Sequence, residues 1–178
     1  MKGRVSMKAI VLVRHGDYNE GTYNLTNDGK ILVARLAENL KPHLDGMTFR
    51  ILSSPAKRAI QSAEIIAKST GLEDKPIEIH NILQLSYWSE YPALLAMIEQ
   101  NGDGKDESGA EIEGEEKFDA LVNVTHFEVV EEFPRYVAEN YFHAKLSQDC
   151  HVISKGCAWI VKAPVDGVCE LIQVSYNS

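Results

Sequence analysis

The feature that most constrains this chain is a short apolar run followed directly by two basic residues. Residues 9–13 are five consecutive apolar residues, three of them β-branched, with polar residues on both sides. Such a run is typical of a strand that is buried on both faces, as in a parallel sheet. Arg14 and His15 stand where that strand leaves the core. Because ligands bind at the carboxyl ends of the strands in open α/β sheets, the pattern predicts that these two side chains line a site.

A second histidine repeats this placement. Residues 118–125 form another predicted strand, and His126 terminates it as His15 terminates the first. Gly16 would let the backbone turn sharply, or let a ligand come close, beside the first histidine. One such histidine alone would more often be a core or loop residue. Two of them at the ends of two predicted buried strands favour a shared site.

A second arginine lies at the start of a predicted helix. Residues 49–53 are a predicted strand, and Ser54 followed by Pro55 predicts an N-cap with proline at the first helical position. Arg58 then falls in the opening turns, where free backbone N–H groups and the helix dipole favour an anion. The alternative is a surface arginine paired with Glu64. A strand-end arginine elsewhere in the chain shifts the balance toward an anion site.

Helices and strands alternate along the rest of the chain, which favours an α/β fold. The first of the further predicted elements is a helix capped by Thr26, which Pro42 and Gly46 help to end. One face of this helix consists of leucines, at Leu32, Leu36, Leu40 and Leu44. The remaining predictions are an edge strand over 76–83, a short helix over 93–98, a helix after His126 with a kink or restart at Pro134, and a terminal hairpin of 156–161 and 168–174.

Length and charge limit the classes of partner. The 178 residues are expected to form a single domain, 1–178, with residues 1–6 as a loose extension. A net charge of -8 argues against nucleic acid or an anionic membrane as the main partner. Much of that charge lies in an acidic insertion, 101–117, expected to be solvated. A calcium loop is disfavoured there because the oxygen spacing does not follow the EF-hand pattern.

The lack of long apolar segments and the spacing of the cysteines give the expected location and redox state. No apolar run approaches bilayer-spanning length and no signal-peptide pattern is present, so a cytoplasmic protein is expected. Cys150, Cys157 and Cys169 are odd in number and lack metal-ligand spacing. They are expected to be reduced structural thiols and not a disulfide or a zinc site.

Taken in order, four segments resemble the signature of the histidine phosphatase (phosphoglycerate mutase-like) superfamily, in its small single-domain branch. They are Arg14-His15-Gly16, Leu25-Thr26 with Gly29, the stretch from Ser53 to Glu64, and Val124-Thr125-His126. The Ser-Ser-Pro stretch is the most specific of them. At the second histidine the family usually has glycine where this chain has Phe127. The resemblance implies a three-layer α/β/α sandwich with a mostly parallel central sheet.

The resemblance also implies a mechanism. His15 would attack phosphorus as the neutral imidazole, and water would hydrolyse the resulting phosphohistidine. Arg14 and Arg58 would hold the nonreacting oxygens, and His126 would donate a hydrogen bond to them. Gly16 is an expected phosphate-binding residue, and so is Asn19, because the asparagine usual after this motif is displaced here, with Asn19 and Asn24 the nearest candidates. No metal or other cofactor is implied. The expected substrate is a small phosphomonoester or a phosphoprotein, and the oligomeric state stays open.

One expected residue is missing from the pattern. Many family members carry a glutamate after the third strand that protonates the leaving oxygen, but the corresponding segment, 82–85, has no acid. Glu78, Glu90 and Glu128 are candidate substitutes, with Glu90 and Glu128 ahead as general acids, and each is also interpretable as a solvated surface carboxylate. The rival hypothesis is a degenerate phosphate-binding or protein-interaction module. A mutase is less expected, because the chain lacks segments for a lid.

Overall fold

The computed structural model describes residues 7–84, 87–104, 110 and 117–177. Its strands are β1 (Ala9–Arg14), β2 (Phe49–Ser53), β3 (Glu78–Ile79), β4 (Ala120–Thr125), β5 (Lys145–Leu146), β6 (Ala158–Lys162), β7 (Val168–Cys169) and β8 (Leu171–Val174). Its α-helices are α1 (Asn27–Leu44), α2 (Lys57–Thr70), α3 (Tyr91–Asp103) and α4 (Phe127–Asn140), with 3-10 turns at Asn81–Gln84 and Trp88–Glu90. No helix in these ranges is long and apolar enough to cross a membrane.

The main sheet has the strand order β3-β2-β4-β1-β6-β8. Strands β3, β2, β4 and β1 are parallel, whereas β6 runs antiparallel to β1 and β8 antiparallel to β6. The prediction of a mostly parallel sheet with a terminal hairpin is therefore confirmed. Arg14 pairs with Thr125 in the register of β1 and β4. The residues that follow, His15 and His126, consequently leave the sheet side by side.

Two apolar cores enclose this sheet and make it the middle layer of three. On one face, α1 and α2 pack through residues such as Leu36, Leu40 and Ile66. On the other, α3 and α4 pack through Leu94, Phe133 and their neighbours. Every residue from Ala9 to Val13 is fully buried, as a strand covered on both sides requires.

Several predicted boundaries differ from the structure. Ser54 is not an N-cap: its amide donates to Val124 O of β4 at 3.0 Å, Ala56 holds the N-cap position, and α2 begins at Lys57. The edge strand predicted over 76–83 is shortened to β3, since the chain turns into a 3-10 helix two residues later. Pro42 does not end α1, and α4 runs continuously through Pro134.

The predicted cap of α1 is confirmed, and two predicted segments lie wholly or partly outside the described residues. Thr26 caps α1, its hydroxyl accepting the amide of Gly29 at 2.9 Å. The three cysteines are free and buried. The proposed extension, 1–6, lies outside the described residues, as do residues 105–109 and 111–116 of the acidic insertion, whose first residues form the end of α3.

The close approach of α1 to the loop after β1 gives the first prediction. A Cβ on Gly29 would overlap the carbonyl oxygen of Asp17. Although Ala is normally favoured over Gly inside a helix by about 1 kcal/mol, Gly29→Ala should lower the free energy of unfolding by about 1–3 kcal/mol through overpacking. Urea denaturation measures it. The neighbouring exposed Lys30→Ala is the control, and a stabilised Gly29→Ala protein would contradict the contact.

Candidate functional site

Two buried imidazoles meet at the carboxyl edge of the sheet. His15 follows β1 and His126 follows β4, and only 4% and 5% of their respective surfaces are exposed. Their ring centroids are 5.0 Å apart in an edge-on arrangement. The sequence-based expectation that the two histidines share one place in the fold is met by this geometry.

Arg58 connects both imidazoles. From the first turn of α2, its Nε donates to His15 Nε2 at 3.0 Å, and its Nη2 lies 3.2 Å from His126 Nδ1. A guanidinium only donates hydrogen bonds, so both of these ring nitrogens act as acceptors. Arg58 is thus placed among the site groups, and not on the surface beside Glu64.

The other ring nitrogens fix the tautomers. His15 Nδ1 lies 2.8 Å from the carbonyl oxygen of Gly16 and donates its proton there. His126 Nε2 lies 2.7 Å from Ser54 Oγ, and as the protonated nitrogen it donates to that hydroxyl. The lone pair of His15 Nε2 therefore points toward a cation and into the cleft, which is the arrangement that a nucleophilic imidazole needs.

Burial keeps both imidazoles neutral. It lowers the pKa of His15 from 6.5 to about 4, assisted by the charges of Arg58, Arg14 and Lys155 and opposed by the Gly16 hydrogen bond. Burial also lowers the pKa of His126 to about 3, with further contributions from His15 and the two arginines. Each ring is consequently unprotonated at neutral pH and has a lone pair available.

Arg14 forms the next part of the site. Its Nη1 donates to the carbonyl of Ile153 at 2.7 Å, and its Cζ lies 5.3 Å from the ring centroid of Phe127. Its Nε is buried without a hydrogen-bond partner among the described residues. Such an unsatisfied donor costs free energy, which a bound anion would recover.

Around these groups lies an open cleft of about 290 Å³. It is lined by Arg14, His15, Tyr18, Arg58, Gln84, His126, Phe127, Glu128 and Lys155. Within the described ranges, no group of three or more His, Cys, Asp or Glu side chains is arranged to hold a metal ion. The polar character of the lining, with three cations and two imidazoles, suits an anionic ligand.

Asn19 and Gly16, which the sequence predicts to bind phosphate, make other contacts in the structure. Asn19 is exposed, and its Oδ1 accepts the amides of Gly21 and Thr22, so it shapes the loop. The amide of Gly16 donates to Ser62 Oγ at 3.1 Å. A Cβ on Gly16 would lie 2.7 Å from Val33 Cγ2, so this glycine permits close packing against α1.

Of the three candidate general acids, one lines the cleft and two do not. Glu128 lines the cleft. Glu90 accepts the amide of Tyr87 at 3.1 Å, and Glu78 forms an ion pair with Arg50 at 3.0 Å; neither is among the cleft-lining residues. Gln84 lines the cleft from the segment where the family usually has its glutamate.

Sequence reasoning missed three contributors. Tyr18 and Lys155 line the cleft, and Ser54 supports His126. Ser54 was assigned a capping role because serine before proline is common at a helix start. Lys155 comes from a loop 138 positions from its partner Asp17, and no local pattern signals such a contact.

Comparison with known proteins agrees with this geometry. Residues 10–101, just over half of the chain, match the family model of the histidine phosphatase superfamily (branch 1). The chain therefore belongs to that superfamily. No curated protein sequence gives a significant match.

Solved structures of this superfamily share the fold. The protein histidine phosphatase SixA complexed with tungstate matches with a TM-score of 0.64 and 18% identity over 95% of this chain and 97% of that chain. A putative phosphohistidine phosphatase SixA from Agrobacterium tumefaciens matches with a TM-score of 0.55 and 12% identity over 94% of this chain and 97% of that chain. Phosphoglycerate mutase from Plasmodium falciparum matches with a TM-score of 0.54 and 18% identity over 96% of this chain and 92% of that chain. The fold is accordingly phosphoglycerate mutase-like.

The depressed histidine pKa values predict acid sensitivity. As the pH falls from 7, the unfolded chain protonates His15 and His126 near pH 6.5, whereas the folded protein keeps both rings largely neutral until the pH approaches 4. The stability due to the neutral rings is therefore present above pH 6.5 and lost on acidification, by on the order of 3 kcal/mol for His15 alone.

Denaturation across this pH range measures the effect. The slope of the unfolding free energy against pH reports how many protons are taken up on unfolding, and His126→Asn should lower that number by about one. Substitution of the remote His43 controls for the loss of a histidine in general. An unchanged slope in His126→Asn would show that the buried ring is not its source.

Proposed function

We propose that the protein is a phosphatase in which His15 Nε2 accepts the phosphoryl group and water then removes it. The observation that carries this proposal is the 3.0 Å contact between Arg58 Nε and His15 Nε2, with Nδ1 held by the Gly16 carbonyl. This contact supports the proposal because a neutral imidazole lone pair lies beside a guanidinium, a group that can bind the oxygens of a phosphoryl group.

In the first step, the Nε2–P bond forms as the bond from phosphorus to the leaving oxygen breaks. In the second, a water oxygen attacks phosphorus, the N–P bond breaks, and inorganic phosphate leaves as the imidazole regains its lone pair. Arg58 would turn its Nε–H from the ring to a phosphoryl oxygen, and the unsatisfied Arg14 Nε–H would gain an acceptor. Both arginines would stabilise the charge on the transferring group.

His126 needs a proton on Nδ1 to donate to a phosphoryl oxygen. In the absence of an anion, that nitrogen accepts from Arg58. A bound phosphoryl dianion offsets the positive field of the arginines and favours imidazolium. His126 would then donate through both nitrogens, to the phosphoryl group and to Ser54 Oγ.

The proposed substrate is a small phosphomonoester or a phosphoprotein. Support for phosphoryl chemistry comes from the family match and from phosphatases among the structures that share the fold. A second candidate, a phosphate-binding module without efficient turnover, is favoured by one observation: Gln84, whose amide cannot transfer a proton, lines the cleft where the family's acid would be.

Loss of the nucleophile tests the proposal. His15→Ala should reduce the turnover of para-nitrophenyl phosphate in EDTA by at least about 10³-fold, since the proposed reaction passes through a bond between His15 Nε2 and phosphorus. Wild type mixed with labelled substrate should give a phosphoenzyme that is stable in alkali and lost in acid, as expected for an N–P bond.

His43→Ala, at the far end of α1 from the cleft, is the matched control. Undiminished turnover in His15→Ala would reject the histidine mechanism. Phosphate binding without any wild-type turnover of aryl or alkyl phosphates, or of phosphoprotein, would favour the binding module.

Glu128 is the proposed proton donor to the leaving group, because it is the one carboxylate among the described residues that line the cleft. Glu128→Gln should slow hydrolysis of alkyl phosphates about 10²-fold while affecting para-nitrophenyl phosphate far less, since nitrophenolate leaves without protonation. Glu90→Gln is the comparison variant. Equal losses on both substrate classes would assign Glu128 a role in binding instead.

A further inference from the structure

Lys155 is held in the cleft by the same strand end that carries the nucleophile. The amide of the following residue, Gly156, donates to the carbonyl oxygens of Arg14 and His15 at 3.1 and 3.0 Å. The amide of Arg14 donates to Cys157 O at 2.9 Å, and its guanidinium to Ile153 O. These contacts on both sides of Lys155 fix its backbone beside the cleft.

The side chain of Lys155 is also held in place. Its Nζ lies 2.8 Å from Asp17 Oδ1 and 4.8 Å from the ring centroid of Tyr18. Arg58 Cζ lies 4.5 Å from the same ring centroid. One aromatic ring therefore contacts two cations, each attracted by its π electrons. The side chain of Lys155 remains 37% exposed, and this residue lines the cleft.

The charge of Lys155 exceeds what the proposed reaction needs. Arg14, Arg58 and His126 already supply donors for the nonreacting phosphoryl oxygens. Lys155 also contributes to lowering the pKa of His15, so its charge acts at the nucleophile. The cleft additionally contains the carboxylate of Glu128. The lysine is thus available for a different part of the ligand.

We propose that Lys155, positioned by Asp17 and Tyr18, forms a second anion subsite that selects substrates with another acidic group on the leaving-group side. A lysine ammonium acts as a point charge, so the shared chemistry is a carboxylate or a second phosphate. This inference rests on the proposed phosphatase function and specifies its substrate: a small phosphomonoester with a further negative charge beyond the transferred phosphoryl group.

The test uses two aryl phosphates of similar shape, with leaving phenols matched in pKa, one bearing a carboxylate and the other a carboxamide. The measured quantity is the ratio of their kcat/KM values. Lys155→Met should lower the carboxylate-to-carboxamide ratio about tenfold, the loss of one favourable charge pair. Lys155→Arg should retain the ratio, and Lys155→Glu should reverse it. A phosphonate-bearing third compound separates carboxylate from phosphate preference.

Asp17→Asn is the complementary variant. The amide oxygen of Asn can still accept a hydrogen bond from the ammonium and keep it in position, but the negative charge that competes with the ligand is removed. The ratio should therefore rise, which a purely structural role of the pair would not produce. A ratio unchanged in Lys155→Met, with equal losses on both compounds, would overturn the subsite. Thermal unfolding of each variant verifies that it folds.

Failure of the proposed function would be seen separately. If the wild type hydrolyses neither compound, calorimetric dissociation constants of the same two compounds replace the kinetic ratio. A carboxylate preference that is lost in Lys155→Met would then support the subsite without the reaction. No such preference would overturn it.

Discussion

The organisation of the cleft depends on one guanidinium that donates to two imidazoles. Arg58 reaches both histidines only because β1 and β4 are adjacent and parallel, so that their last residues end at the same level. Its position on α2 is itself fixed, since Ser62 Oγ donates to the carbonyl of Arg58 and accepts the amide of Gly16. A single hydroxyl thus connects the helix that carries Arg58 to the loop that follows His15.

The chain as a whole is negatively charged, whereas its cleft is lined mainly by positive charge. The chain has a net charge of -8, yet three of its cations face a small volume that also contains two neutral imidazoles. Burial is the dominant cause of that neutrality. In this environment the arginines are not repelled by charged imidazoles, and under the proposed function the lone pair of His15 would be available to a phosphoryl group without prior loss of a proton.

Much of this arrangement could be predicted from sequence because it depends on local patterns. A buried strand, the residue that ends it, and the first turn of a helix are all visible within ten or so positions, and these place His15, His126, Arg14 and Arg58. Contacts between distant segments are not visible in that way. Lys155 contacts Asp17 across 138 positions. Ser54 is not the predicted N-cap because its amide donates to Val124 in β4, which is 70 positions away in the sequence.

The placement of β1 has a consequence for how the protein is made. This strand precedes both of its neighbours in the sheet, β4 and β6, in the sequence. Until β6 has been synthesised, the edge of β1 that β6 covers has no hydrogen-bonding partner, and Gly156 cannot yet bind the carbonyls of Arg14 and His15. The central layer of the sheet can therefore be completed only after β6 is available, and before that point the mostly apolar β1 has an edge open to pairing with another chain.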